Sequence, residues 1–204
     1  MKIVILVEGK TETAFKPHLI NFLASYLQGA MPKLDFHPFD GRLPTNDKLK
    51  RIVDIHLTGK RSADHVIALT DVYTGTNPPI FQDATDAKTK MRNWVGFNCR
   101  FHPHVAQYDF EAWLLPYWHT IQKLAMHNKT APGGMPETVN HNKSPAYHIK
   151  EIFKMGQCRN YYNKPRDANR ILNENDLLIA INQCPELKLF INTIIEICNG
   201  NKIL

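Results

Sequence analysis

Five consecutive apolar residues, Ile3 to Val7, stand at the start of the chain and stop at Glu8-Gly9. A β-branched run without polar alternation predicts a strand covered on both faces, as in the middle of a parallel sheet. Phe15, Leu19, Phe22, Leu23 and Tyr26 then recur at helical spacing, which predicts a helix capped by Thr11 and stopped at Gln28-Gly29. Residues 34–39 alternate as a short strand, and Pro38 assigns it to a sheet edge, because proline cannot donate to a ladder. Thr45-Asn46-Asp47 starts a second helix, with Leu49, Ile52, Val53 and His56 on one face and Gly59 at its end. A second buried strand, His65 to Thr70, runs into Asp71 and a turn-rich loop from Tyr73 to Pro79. A polar helix over 83–94 and a strand over 100–107 follow, the strand delivering Tyr108-Asp109-Phe110-Glu111. Strand-helix alternation of this kind predicts an α/β fold with a mostly parallel sheet flanked by helices.

Beyond Trp118 the pattern changes. Residues 127–145 read as loop, and helices are expected over 145–155, 174–183 and 185–198, the last with Leu187, Phe190, Ile191, Ile194, Ile195 and Cys198 on one side. The expected division is a core over 1–118 and a C-terminal helical extension over 119–204 packed on it. At 204 residues, 43% hydrophobic and 22% charged, the chain suits one core and excludes disorder as its main state. The apolar run at the start is too short for a signal-peptide core or a membrane span, so a cytoplasmic protein with no membrane contact is expected. Cys99, Cys158, Cys184 and Cys198 are widely spaced, which predicts reduced and mostly buried thiols rather than a zinc ribbon or a disulfide framework.

The charge is uneven. The net +6 comes from fourteen basic and twelve acidic residues before position 119, and eleven and seven after it. A modest basic excess favours an acidic partner such as nucleic acid. The acids have a pattern of their own, since ligands of an open parallel sheet bind at the carboxyl ends of its strands. Glu8 closes the first strand, Asp71 the second buried one, and Asp109 with Glu111 follows the last, while Glu12 can lean back toward Glu8 from the first helical turn. Each acid alone also reads as a helix-start or turn residue. Together, on a basic chain, they point to a divalent cation with oxygen ligands, Mg²⁺ or Mn²⁺, and to a one- or two-metal phosphoryl-transfer site.

These residues resemble a known signature. Val7-Glu8-Gly9-Lys10-Thr11-Glu12, between a hydrophobic strand and a helix, is similar to the Toprim motif of topoisomerases, primases and the overcoming-lysogenization-defect nucleases. Leu69-Thr70-Asp71-Val72-Tyr73 falls where the second Toprim element, Asp-x-Asp, stands. Pro103, then Tyr108-Asp109-Phe110-Glu111-Ala112-Trp113-Leu114-Leu115, with Lys164 ahead of Cys184-Pro185, resembles more closely a Toprim-like bacterial family associated with ABC-type ATPases in phage defence. The resemblance spans most of the chain. It implies Glu8 as a metal ligand or general acid/base, Glu12 as ligand of a second metal, Asp71 as the first Asp of Asp-x-Asp, Glu111 as the family glutamate, and Lys164 as the lysine that offsets charge in the transition state. Tyr73 replaces the second Asp, a ligand that Glu111 or Asp109 would have to supply, and Tyr108-Asp109 replaces the family's His-Glu.

The resemblance therefore implies a divalent-metal-dependent nuclease, the effector of an anti-phage system with an ATPase partner. The competing implication is a catalytically degenerate Toprim-like subunit that binds nucleic acid or scaffolds an ATPase without cleavage. A third reading, hydrolysis or transfer on a free nucleotide, requires a compact pocket. For a DNA or RNA track the sequence offers Lys48 and Arg51 in a basic stretch over 42–61, and Arg159, Lys164 and Arg166 among Phe153, Tyr161 and Tyr162, a basic stretch with aromatics that suits phosphates and stacked bases. His102 and His104 share a strand face and are expected to be partly buried and hydrogen-bonded, not metal ligands. Thr74-Gly75-Thr76 lacks the spacing and the following Lys-Ser/Thr of a phosphate loop, so any ATPase activity belongs to a partner.

Overall fold

The computed structural model describes residues 1–73, 77–138, 143–156 and 161–204. Four strands within them, β1 (Lys2–Val7), β2 (Lys33–Pro38), β3 (His65–Asp71) and β4 (Phe101–Ala106), form one sheet in the order β2-β1-β3-β4, every pair parallel. The uninterrupted apolar runs are the two central strands. On β1, Ile3, Ile5 and Val7 enter one core and Val4 and Leu6 the other, so both faces are shielded from water. Pro38 closes β2 at the edge, where a missing N–H costs no ladder bond.

The crossovers α1 (Lys10–Tyr26), α2 (Asn46–Thr58) and α3 (Ala84–Val95) divide between the faces. Phe15, Leu19 and Leu23 of α1 cover one face; Leu49, Val53 and Leu57 of α2, with Ala87, Met91 and Val95 of α3, cover the other. The chain leaves β1 for β2 on one side and returns past β1 to β3 on the other. The strand order thus reverses between β1 and β3, which opens a crevice at their carboxyl ends.

Eight residues after β4 wind into a 3-10 segment, Phe110–Tyr117, followed by α4 (Trp118–Ala125), α5 (Pro145–Met155), α6 (Lys164–Asn173), α7 (Leu177–Gln183) and α8 (Pro185–Ile197). Leu187, Phe190, Ile191, Ile194 and Ile195 of α8 are buried in the same core as α1. Phe15, Phe110, Trp113 and Phe190 meet there with ring centroids 5.3–6.1 Å apart. Trp113 Nε1 donates to Glu137 Oε1 at 3.0 Å, and Glu137 Oε2 accepts from the Glu186 N–H at 2.9 Å, at the start of α8. Trp113→Phe keeps an aromatic side chain but leaves a buried carboxylate oxygen unpaired and a small cavity where the indole was, and is expected to cost about 2–4 kcal/mol in urea unfolding.

Several expectations need correction. Thr11 does not cap α1; Gly9 precedes the first turn, and the Glu12 carboxylate, at the third helical position, accepts the Gly9 N–H at 3.1 Å. The helix ends at Tyr26, with Leu27 as its cap, ahead of the glycine. The 3-10 segment, α4 and α6 stand where no helix is expected, although the short α4 and α6 are amphipathic, and α7 begins at Leu177 rather than 174. Signals for α6 exist in Asn163, whose side chain accepts the Arg166 N–H, and in Pro165 in its first turn. Cys184 is buried, but Cys99 is exposed and Cys198 half-buried; Cys158 lies outside the described residues. His102 Nε2 lies 3.1 Å from His65 Nδ1, as expected of a hydrogen-bonded strand histidine. His104 is buried with Nδ1 unpartnered among the described residues, and burial pushes its pKa down to about 3, which leaves the ring neutral. Among the described residues no helix is long and apolar enough to cross a membrane.

Candidate metal centre at the carboxyl edge of the sheet

The crevice between β1 and β3 collects the acids. Glu8 follows β1, Asp71 ends β3, Glu12 stands in the first turn of α1, and Asp109 and Glu111 span the start of the 3-10 segment after β4. Register brings the first two close: Val7 pairs with Leu69, which puts Glu8 across from Thr70, one position before Asp71, at the carboxyl edge. Glu8 Oε1 accepts the Asp71 N–H at 3.2 Å and the Thr70 hydroxyl. On its other side, the Gly41 N–H donates to the Glu8 carbonyl at 3.1 Å, and Gly41 holds φ +130°, a conformation side chains disfavour. That turn sets Arg42, whose positive charge favours ionised Glu8.

Glu111 is completely buried, with Oε1 accepting from the Tyr162 hydroxyl at 3.3 Å and Oε2 from Lys164 Nζ at 2.9 Å. Lys164 is the first residue of α6, and the start of that helix is tightly tied. Asp167, fully buried, accepts the Asn163 N–H at 2.8 Å, is gripped by Arg166 at 2.8 and 2.9 Å, and meets Arg170 at 3.3 Å. Asp109 is buried too. Its Oδ2 accepts the Ala146 N–H at 3.2 Å, while Oδ1 has no hydrogen-bond partner among the described residues.

Burial and mutual repulsion work together on these carboxyls. Burial, then the charges of Glu8, Glu12, Asp109 and Glu111, raises Asp71 well above the ordinary carboxylate range. Asp109 is pushed up to about 7 by burial and by Glu111, against the pull of Lys164. Burial also raises Glu8 and Glu12. Burial alone would lower the Lys164 pKa, but Glu111, Asp109 and Asp71 hold it above its ordinary value. Five carboxyls therefore share one crevice with a single buried-edge ammonium, and a hard divalent cation with oxygen ligands suits such a set. The unpartnered Asp109 Oδ1 is the donor atom most ready for it. Among the described residues, no three His, Cys, Asp or Glu side chains already converge on one ion-sized point, so a cation would draw the acids together.

All of Glu8, Glu12, Asp71, Glu111 and Lys164 thus come to one edge from five separate elements. The basic candidates scatter. Lys48 and Arg51 are exposed on the first turns of α2, Arg166 is occupied with Asp167 while remaining partly exposed, and Arg159 lies outside the described residues. The aromatic interleaving is different from the expectation. Phe153 and Tyr162 are buried and pack against each other at 5.4 Å, so neither can stack a base; only Tyr161 is open to solvent, at 80% exposure. Sequence reasoning missed Thr70 and Tyr162 as partners of the acids. A lone hydroxyl at the end of the apolar run His65–Thr70 was the available signal for the first.

No curated protein matches this chain. Among solved structures, the C-terminal region of the Burkholderia pseudomallei OLD protein is similar over 96% of this chain and 98% of that one, with a TM-score of 0.55 and 12% identity. At that identity the likeness is one of fold, and it agrees with the Toprim-like arrangement of a parallel sheet flanked by helices. A family model described as a domain of unknown function, DUF4276, matches residues 7–195, most of the chain, and the chain belongs to that family.

Proposed function

We propose that this chain is a divalent-metal-dependent nuclease of the Toprim type, cleaving phosphodiester bonds of DNA or RNA in the cytoplasm. The observation that carries the reading is the meeting of Glu8, Glu12, Asp71, Asp109 and Glu111 at the strand-order reversal, opposed by Lys164 and, at Glu8, by Arg42. Mg²⁺ or Mn²⁺ bound there would supply a polarised water and a counter-charge for the scissile phosphate. The protein's own part is to hold the cation among the carboxylates at the strand ends, Glu8, Asp71 and Asp109, with Glu12 beside them, and to present the Lys164 ammonium, paired with Glu111, to the phosphate oxygens. Thr70 and the Asp71 N–H fix the Glu8 carboxylate in place for that task.

Two further observations favour a polymer over a free nucleotide. On the Arg42 side of Glu8, the cleft lined by Glu8, Arg42, Thr45, Phe81 and Trp94 contains about 10 Å³ of open space, room for roughly one water and not for a nucleobase. The exterior is also more basic than the net +6 suggests. Glu12, Asp109, Glu111, Glu137 and Asp167 are buried, whereas no lysine or arginine among the described residues is. Affinity for DNA or RNA should therefore fall steeply with added salt, and the Lys48→Ala, Arg51→Ala double variant should lower the slope of log K against log salt by about 2.

The direct test is hydrolysis of supercoiled plasmid and of single-stranded RNA by the purified protein with Mn²⁺ and with chelator. Mn²⁺-dependent cleavage of either polymer is expected. Tyr73, 63% exposed at the position of the missing second Asp, supports the competing reading of a non-cleaving subunit. Bound Mn²⁺ and bound nucleic acid without cleavage would select it. An ABC-type ATPase partner and a role in phage defence are supported by the Toprim-like resemblance, and co-purification with an ATPase encoded beside this chain would check them.

A further inference from the structure

We propose that Glu111 and Tyr162 are positioning residues that hold the Lys164 ammonium at the crevice, and that a divalent cation is carried by Glu8, Asp71 and Asp109 without Glu111. The inference rests on the nuclease reading for its cation, but the cradle itself is a property of the metal-free protein. Both oxygens of Glu111 are engaged, one by Tyr162 and one by Lys164, and the residue has no exposed surface. A cation sharing Oε2 with an ammonium at 2.9 Å would bring like charges into contact. Asp109 and Asp71 differ. Asp109 offers a buried oxygen without a partner among the described residues, and Asp71 ends β3 beside Glu8, whose Oε1 accepts its N–H at 3.2 Å.

The cradle is stiff where it needs to be. The Tyr162 ring is buried against Phe153, which fixes its hydroxyl on Glu111. Asn163 and Asp167 lock the first turn of α6, so the Lys164 backbone is fixed while its side chain stays 39% exposed and able to reach the edge. Glu111 therefore acts on the reaction through the lysine it aims, as outer partners of a reactive group commonly do.

Two measurements on the full chain test this. In the first, Mn²⁺ affinity is measured by calorimetry for wild type, Glu111→Gln and Asp109→Asn. Asp109→Asn is expected to bind about 10-fold more weakly or worse, and Glu111→Gln to stay within about threefold of wild type. In the second, metal-free protein is treated with an amine-modifying reagent and read by mass spectrometry. Lys164 should react about three to ten times faster in Tyr162→Phe and in Glu111→Gln, the value of one lost hydrogen bond. Lys88, half-buried and paired with Glu186 at 2.6 Å, should keep its rate and so separates local release from general loosening. A 10-fold loss of Mn²⁺ affinity in Glu111→Gln, with wild-type binding intact, overturns the placement of the cation. Unchanged labelling of Lys164 in both variants, or equal acceleration of Lys88, overturns the cradle. Failure of the wild type to bind Mn²⁺ sinks the nuclease reading, and the cation's placement with it, whatever the labelling shows.

Discussion

Asp71→Asn is expected to reduce metal-dependent cleavage by about 10³-fold or more and, in the same protein, to raise the thermal midpoint measured without metal. Both effects have one cause. Burial, followed by the charges of Glu8, Glu12, Asp109 and Glu111, opposes ionisation of the Asp71 carboxyl. An amide of the same shape removes a repelling charge while the Asp71 N–H bond to Glu8 persists. The gain should be on the order of 1 kcal/mol, or roughly 2–4 °C for a chain of this size. Cleavage suffers because a charged metal ligand at the strand end is lost, and ligands of this kind act in the transition state rather than in substrate binding. Single-turnover cleavage and scanning calorimetry read the two arms. Wild-type cleavage rates in Asp71→Asn would remove Asp71 from the site; a lower midpoint would show that its carboxylate is matched by a partner. Glu8→Gln should lose activity similarly with a smaller gain in stability, since Glu8 is already served by Thr70, Asp71 and Arg42.

The second large effect is a pH-dependent stabilisation by Mn²⁺. The folded pKa of Asp109, about 7, lies above the ordinary value of 3.8, so its proton stabilises the folded protein at low pH. That contribution is present below pH 4 and is lost as pH rises toward 7. Glu8, Glu12 and Asp71 are shifted in the same direction. Histidines act in the opposite sense over an overlapping range: burial holds His102 near 4 and His104 near 3, so their protonation destabilises the fold as pH falls below 6.5. The metal-free profile alone thus mixes two opposed effects. The difference made by Mn²⁺ isolates the carboxylates, because the histidines titrate alike with and without it. At pH 8, where the carboxyls are ionised, free Mn²⁺ at 100–1,000 times its Kd should add about 2.7–4.1 kcal/mol. Near pH 5 the same ion must displace protons from the site, and the midpoint shift should be far smaller. A shift independent of pH between 5 and 8 would place the ion away from these carboxyls.

The strands of the central sheet were readable in the sequence because β1 and β3 are covered on both faces, and full burial demands runs such as Ile3 to Val7. Pro38 likewise marked its edge without help from context. α6 is harder to read for the complementary reason: its apolar stripe is regular but short, Ala168, Ile171 and Leu172. Its buried face is only Asp167, Ala168, Ile171 and Leu172, and the charge buried among them is compensated by Arg166 and Arg170 on the same helix rather than by an apolar pattern. The arginines that look like a free basic stretch are for that reason partly occupied.

The sequence by itself determined that strands alternate with helices, that acids stand at three strand ends, and that a lysine follows some fifty residues after the last of them. Each of these is a local property, set by which side chains a strand or helix turn must bury or leave in water. Only the tertiary structure decided how those groups meet. The order β2-β1-β3-β4 sets Glu8 beside Asp71, and the fold of the C-terminal helices brings Tyr162 and Lys164 onto Glu111 across the chain. Charges separated by a hundred positions interact through space, and their protonation and ion-holding capacity depend on burial and distance, quantities that no local pattern carries.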